Sequence, residues 1–298
     1  MKFISPKNDI AFRKVFGNEN KKEILISFLN ALLDLPEDRK IMEIDILNPF
    51  QVPKIESLKL TILDVRAKDK RGVTFIIEMQ VEQVEGYQKR FLYYTSKAYS
   101  SQIERGKDYP RLNQVIFIGI LDFNAFDGKD YLTKHLILNN KTYKQEIEDS
   151  EFNFIELPKF NKSENEIETV IDKWIYFIKN AEDLEVIPAN ADFKELKEAY
   201  EEANKFNWTK EELEVFDYWS MRTQDEIGAI QVKVKKGIKQ GIEQGIKQGM
   251  DKGREEGKEE ERKNVVQTMY NKGLKVEQIS DFLEMEVDAI KAIVDEIV

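Results

Sequence analysis

Val73-Thr74-Phe75-Ile76-Ile77-Glu78-Met79-Gln80-Val81 is the stretch on which the fold turns. A strand directs alternate side chains to opposite faces, so Val73, Phe75, Ile77, Met79 and Val81 form one apolar face. Thr74, Ile76, Glu78, Gln80 and then Glu82 occupy the other. Residues 58–67 predict a second strand, and Lys68-Asp69-Lys70-Arg71-Gly72 between the two is a hairpin signal. In that second strand Asp64 has the same parity as Leu58, Leu60 and Ile62. Its carboxylate is therefore expected among apolar residues, where an uncompensated charge is costly. A divalent cation is one compensator: oxygens of Asp64 and Glu78, with the Met79 main-chain carbonyl, suit an octahedral hard ion. The competing reading places Glu78 and Glu82 on the solvated face of an edge strand.

Upstream, Asn8 or Asp9 can cap a helix bearing Phe12, Val15 and Phe16. After Gly17-Asn18-Glu19-Asn20, a second helix carries Ile24, Leu25, Phe28, Leu29, Leu32 and Leu33 and stops before Pro36. A strand is predicted over 41–47. Downstream, 87–106 reads as a helix with Arg90, Tyr94, Lys97 and Ser101 on one side. Residues 115–121 are apolar apart from one glycine and short enough for a buried strand; 135–138 and 152–157 read as later strands. The order helix, three strands, helix, strand defines an α/β unit over residues 1–158. Residues 159–232 form a helical extension, with helices over 164–180, 193–206 and 211–231. Then Gly237, Gly241, Gly245, Gly249, Gly253 and Gly257 recur every fourth residue within a stalk or linker, 233–263. A small helical end piece, 264–298, is broken at Lys272-Gly273 and near Met285-Glu286 and has a helix-turn-helix-like pattern.

The chain has 298 residues, no Cys and one His, His135. Disulfides and thiolate metal sites are excluded, and sites needing two imidazoles are too. Any catalysis must rest on carboxylates, amides, Lys, Arg or Tyr. The net charge is −10, but residues 1–150 carry 24 basic and 22 acidic side chains while 151–232 carry 9 and 20. The acidity therefore does not oppose a polyanion at the N-terminal part. No run of 18 apolar residues and no leader peptide are found, so a soluble, cytoplasmic protein without a membrane partner is expected.

Asp64, thirteen intervening residues, and Glu78-Met79-Gln80 resemble the Asp…Glu-x-Lys core of the PD-(D/E)XK nuclease superfamily, with Gln80 in the Lys place. More narrowly, Lys7-Asn8-Asp9-Ile10-Ala11-Phe12-Arg13-Lys14-Val15-Phe16-Gly17, Leu29-Asn30, Ile77-Glu78-Met79-Gln80 and Arg90…Tyr94 resemble the Rpn family, recombination-promoting nucleases also described as transposases. The resemblance covers about residues 1–232, including Trp174…Phe177. It implies a PD-(D/E)XK-like core with a mixed central sheet flanked by helices, then the helical extension and C-terminal helical tail. It also implies metal-dependent cleavage of DNA: Asp64 and Glu78 would hold Mg²⁺ or Mn²⁺, and Gln80 would position the attacking water. Asp9 resembles the family's N-terminal acidic position, against a helix-cap reading; Arg90 resembles a phosphate clamp, against an ordinary surface arginine. The alternative is a catalytically degenerate nuclease fold serving as an oligomeric DNA-binding or regulatory module.

Two other features carry expectations. His135 beside an apolar strand reads as structural. In the glycine ladder, each interior Gly costs a helix roughly 1 kcal/mol relative to Ala, yet Ile238, Ile242 and Ile246 repeat in step with it. Self-association of a helix over 233–263 is expected to offset that penalty; a flexible linker is the rival reading. The acidic second helix of the end piece argues for protein contact over DNA reading.

Overall fold

In chain order the strands are β1 Ile44–Leu47, β2 Phe50–Gln51, β3 Thr61–Ile62, β4 Val65–Asp69, β5 Thr74–Gln80, β6 Val115–Leu121, β7 Leu132–Leu136 and β8 Ser150–Glu156. The helices are α1 Asp9–Phe16, α2 Lys22–Leu33, α3 Tyr87–Ser100, α4 Val170–Asn180, α5 Lys194–Ala203, α6 Lys210–Asn271, α7 Val276–Leu283 and α8 Val287–Asp295. These elements come from a computed structural model that describes residues 2–51, 61–103 and 109–296. Residues 1–217 form one compact unit and residues 218–298 a second.

Six strands form one mixed sheet in the order β1-β4-β5-β6-β8-β7. Strand β5 pairs antiparallel with β4, Val65 opposite Ile77, and parallel with β6, Glu78 opposite Gly119. The β4–β5 connection turns on Gly72, at φ 90, whose N–H donates to the Asp69 carbonyl at 3.0 Å. The alternation expected for β5 sorts its residues between two cores. Phe75, Ile77 and Met79 pack with α1, α2, α4 and α5, around Phe12, Phe28, Trp174 and Tyr200. Ile76 packs on the opposite face with Tyr87 and Ala98 of α3, Phe117 of β6 and Phe154 of β8. Strand β6, buried along its whole length, serves both cores, as its apolar run requires. The α/β expectation, a mixed sheet flanked by helices, is what the chain forms.

Several elements differ in extent from the sequence expectation. The strand expected over 58–67 is interrupted: β3 pairs with β2 in a separate ribbon, and β4 joins the main sheet only from Val65. The expected side-chain parity with Leu58 and Leu60 lies outside the described residues. The helix expected from 164 begins at Val170, because Thr169 and Asp172 form a reciprocal capping box. The helices expected over 211–231 and 233–263 are one helix, α6, with all six ladder glycines inside it. The end piece closes on itself: Val266, Ile279, Ile290 and Val294 form its core. Among the described residues no helix is long and apolar enough to cross a membrane.

At Gly119 the sheet lies close under the α3 layer. A Cβ there would stand 2.8 Å from both Phe154 Cδ1 and Tyr87 Oη. Gly119→Ala is expected to lower stability by roughly 1–3 kcal/mol through overpacking, read by denaturant unfolding.

Candidate metal centre

Asp64 sits at the bend between β3 and β4, where the ladder has lapsed. Its own N–H donates to Glu78 Oε1 at 3.1 Å, and the Met79 N–H donates to Asp64 Oδ2 at 2.9 Å. Each carboxylate thus replaces a missing ladder carbonyl for the other residue's strand. That exchange ties the two acids together and explains why Asp64 leaves the strand expected for it. The edge-strand reading of Glu78 is overturned: β5 has neighbours on both sides, and Glu78 is 6 % exposed. A strand residue directs its N–H and C=O to the same edge, so the Met79 carbonyl leaves β5 on the side of Asp64.

Helix α1 brings further charge. Asn8 caps it, its side chain accepting from the Ile10 N–H at 2.9 Å, which overturns the cap reading of Asp9. Asp9 instead faces the centre, close enough for its charge to act on Asp64. One turn later Arg13 donates from Nη2 to Asp64 Oδ1 at 3.2 Å. Sequence reasoning did not select Arg13; its i, i+4 spacing from Asp9 on one helix face was the available signal. On α3, Arg90 donates to Gln80 Oε1. Its guanidinium lies over the rings of Tyr87 and Tyr94, 5.9 and 5.8 Å from their centroids. These contacts remove Arg90 from the class of ordinary surface arginines. The Gln80 side-chain amide donates to the Glu82 carbonyl at 3.0 Å. His135 packs against Phe126 and Phe154, a structural position as expected.

Burial dominates the protonation of this centre. It pushes the Glu78 carboxyl up to about 8, helped by the Asp64 charge and opposed by the Asp64 N–H, Arg90 and Arg13. Burial and the Asp9 charge push Asp64 up to about 6, against the Met79 N–H and Arg13. Asp9 is also raised by burial, with Arg13 and Arg90 opposing. Among the described residues, no three His, Cys, Asp or Glu side chains converge as a complete ion cage. The donors present still fit a hard divalent ion: two carboxylates and a main-chain carbonyl, all oxygen. Mg²⁺ is commonly bound by one or two carboxylates, with water and substrate phosphate filling the remaining positions.

The chain is thus a mixed α/β protein whose central sheet presents two largely buried carboxylates, each accepting a main-chain N–H from the other's segment, beside a clamped Gln. A family model described as PD-(D/E)XK nuclease family transposase matches residues 6–233, and the chain belongs to that family. No curated protein and no solved structure matches the chain.

Proposed function

We propose that the protein is a metal-dependent deoxyribonuclease that hydrolyses DNA phosphodiesters in recombination or mobile-element activity. The observation that supports this most is the buried Asp64–Glu78 pair, each carboxylate bonded to the other strand's main chain and both raised by burial. Asp64, Glu78 and the Met79 carbonyl hold Mg²⁺ or Mn²⁺ in this reading. The ion, when bound, supplies Lewis-acid polarisation of the phosphate and a more acidic water. Gln80, fixed by Arg90 and by the Glu82 carbonyl, orients the attacking water by hydrogen bonding. Arg90 and Arg13 stabilise the negative charge that develops on the phosphate. Purified protein with Mg²⁺ or Mn²⁺ should cut DNA and should not cut with chelator; single-stranded, duplex and branched substrates would define its preference.

A second reading is favoured by one contact: Arg90 already engages the Gln80 carbonyl, and Gln80 lacks the charge of a Lys. Under it the fold is a degenerate nuclease retained as an oligomeric DNA-binding or regulatory module. Calorimetry showing neither metal binding nor an effect of Asp64→Ala, together with no cleavage, would select it.

The division of labour we propose places chemistry in 1–158, support in 159–232, self-association in 233–263 and protein contact in 264–298. Ile238, Ile242 and Ile246 are 57–58 % exposed along α6, and a Cβ at each ladder glycine would meet nothing within 4 Å. That small-and-bulky seam suits close approach of a second copy of the helix. Ile242→Asp with Ile246→Asp should convert the full-length oligomer to monomer in light scattering. A wild-type monomer would reduce the ladder to a spacer.

A further inference from the structure

Strand β4 carries a second polar feature just after the bend at Asp64. Arg66 and Lys68 stand at alternate positions of β4, so they share one sheet face, and Arg66 follows Asp64 by two residues, about 7 Å at strand rise. A cleft of about 330 Å³ opens there, lined by Arg66, Lys68, Thr74 and Ser101 among others, with no carboxylate among the described residues of its wall. Arg66 Nε is buried with no hydrogen-bond partner. Neither Arg66 nor Lys68 has an ion pair among the described residues. Asp45, which lies opposite Lys68 in the register, is engaged by Lys22 at 3.5 Å. Three other buried charges of this unit are matched: Glu156 by Lys159 at 2.7 Å, Asp172 by Lys162 at 2.7 Å, and Asp69 by Arg71 at 2.6 Å. A partly buried guanidinium without a counter-charge is unfavourable unless an anion completes it. The planar fork of Arg suits a phosphate in two-point contact.

We propose that the Arg66–Lys68 cleft is a phosphate subsite for the DNA strand, receiving a backbone phosphate beside the one at the Asp64–Glu78 centre. This rests on the nuclease reading and adds to it a positioning site that makes no contact with the reacting atoms. The Arg66 fork takes the phosphate oxygens, Lys68 covers the open side, and the strand is held in register along β4.

The test is fluorescence anisotropy of the full-length protein with labelled duplex DNA, in EDTA to prevent cleavage, as a function of KCl. Arg66→Gln should weaken binding roughly tenfold and make the log–log salt slope shallower by about 1, uniformly across DNA sequences. Lys68→Gln should weaken it by a smaller factor. In cleavage assays Arg66→Gln should raise KM and leave kcat near wild type. Lys194→Gln is the control for lost surface charge, since Lys194 is exposed and among the described residues pairs only with Glu198 at 3.7 Å. An unchanged salt slope in Arg66→Gln, or a loss no larger than the control's, overturns the subsite. If Arg66→Gln does not fold, the slope of Lys68→Gln decides by the same criterion. If inorganic phosphate raises the melting temperature of wild type but not of Arg66→Gln while DNA binding is equal, the cleft takes free phosphate and the proposal fails. Wild-type protein that neither binds nor cuts DNA overturns the nuclease reading and the subsite together. Wild type that cuts, with variants that match it, overturns the subsite alone.

Discussion

Asp64→Asn and Glu78→Ala are each expected to reduce metal-supported DNA cleavage by ~10³-fold or more, since each removes an anionic ligand from the centre. The choice of Asn at position 64 separates chemistry from folding. Its side-chain carbonyl can still accept the Met79 N–H that Asp64 Oδ2 now accepts at 2.9 Å, so β5 keeps its partner. What it loses is the charge that pairs with Arg13 at 3.2 Å. Circular dichroism should therefore match wild type while cleavage disappears. Activity that survives both substitutions would place the chemistry elsewhere and sink the assignment of these two residues.

Glu78→Gln is expected to abolish metal binding and yet raise the melting temperature of the metal-free protein above neutral pH. The Glu78 carboxyl lies near 4.5 when unfolded and is pushed up to about 8 in the fold, chiefly by burial and then by the Asp64 charge. The folded state therefore holds a proton that the unfolded state has released throughout that interval. Stability contributed by the protonated group is complete below about pH 4.5 and is lost as pH rises through about 8. Gln has no proton to lose and presents the same oxygen to the Asp64 N–H. The two proteins should melt alike at low pH and diverge by several degrees by pH 8.5. Adding Mn²⁺ should raise wild type and leave Glu78→Gln unmoved, and metal uptake by wild type at pH 7 should release protons in calorimetry. A variant that melts below wild type at pH 8.5 would mean that the Glu78 charge stabilises the fold, contrary to this account.

The two carboxylates also show how far pattern reading reaches. The alternation in residues 73–81 located Glu78 and Gln80 on the same strand face as Ile76, because strand geometry repeats every second residue whatever surrounds it. Helix α2 and strand β6 were legible for a similar reason: their apolar residues follow a local period or form a short buried run. The sequence marks Asp64, but its alternation predicts a strand where the chain bends. Its bend arises from hydrogen bonds to Glu78 and Met79, fourteen and fifteen residues away, and no local period encodes an interaction of that range. Asp9 could not be separated from Asn8 as the helix cap until the backbone of α1 set which side chain reached the Ile10 N–H.

The sequence by itself determined the α/β class, the alternating faces of β5, the acidic residues available for a hard ion, and the absence of any thiolate chemistry. These follow from covalent composition and from the short-range geometry of strands and helices. Only the tertiary structure decided that β5 is interior, that Arg13 reaches Asp64, that Arg90 holds Gln80 and that Arg66 has no counter-charge among the described residues. Each of these depends on segments far apart in the chain being packed together, and on burial weakening the solvent's hold on charge, which is a property of the folded surroundings.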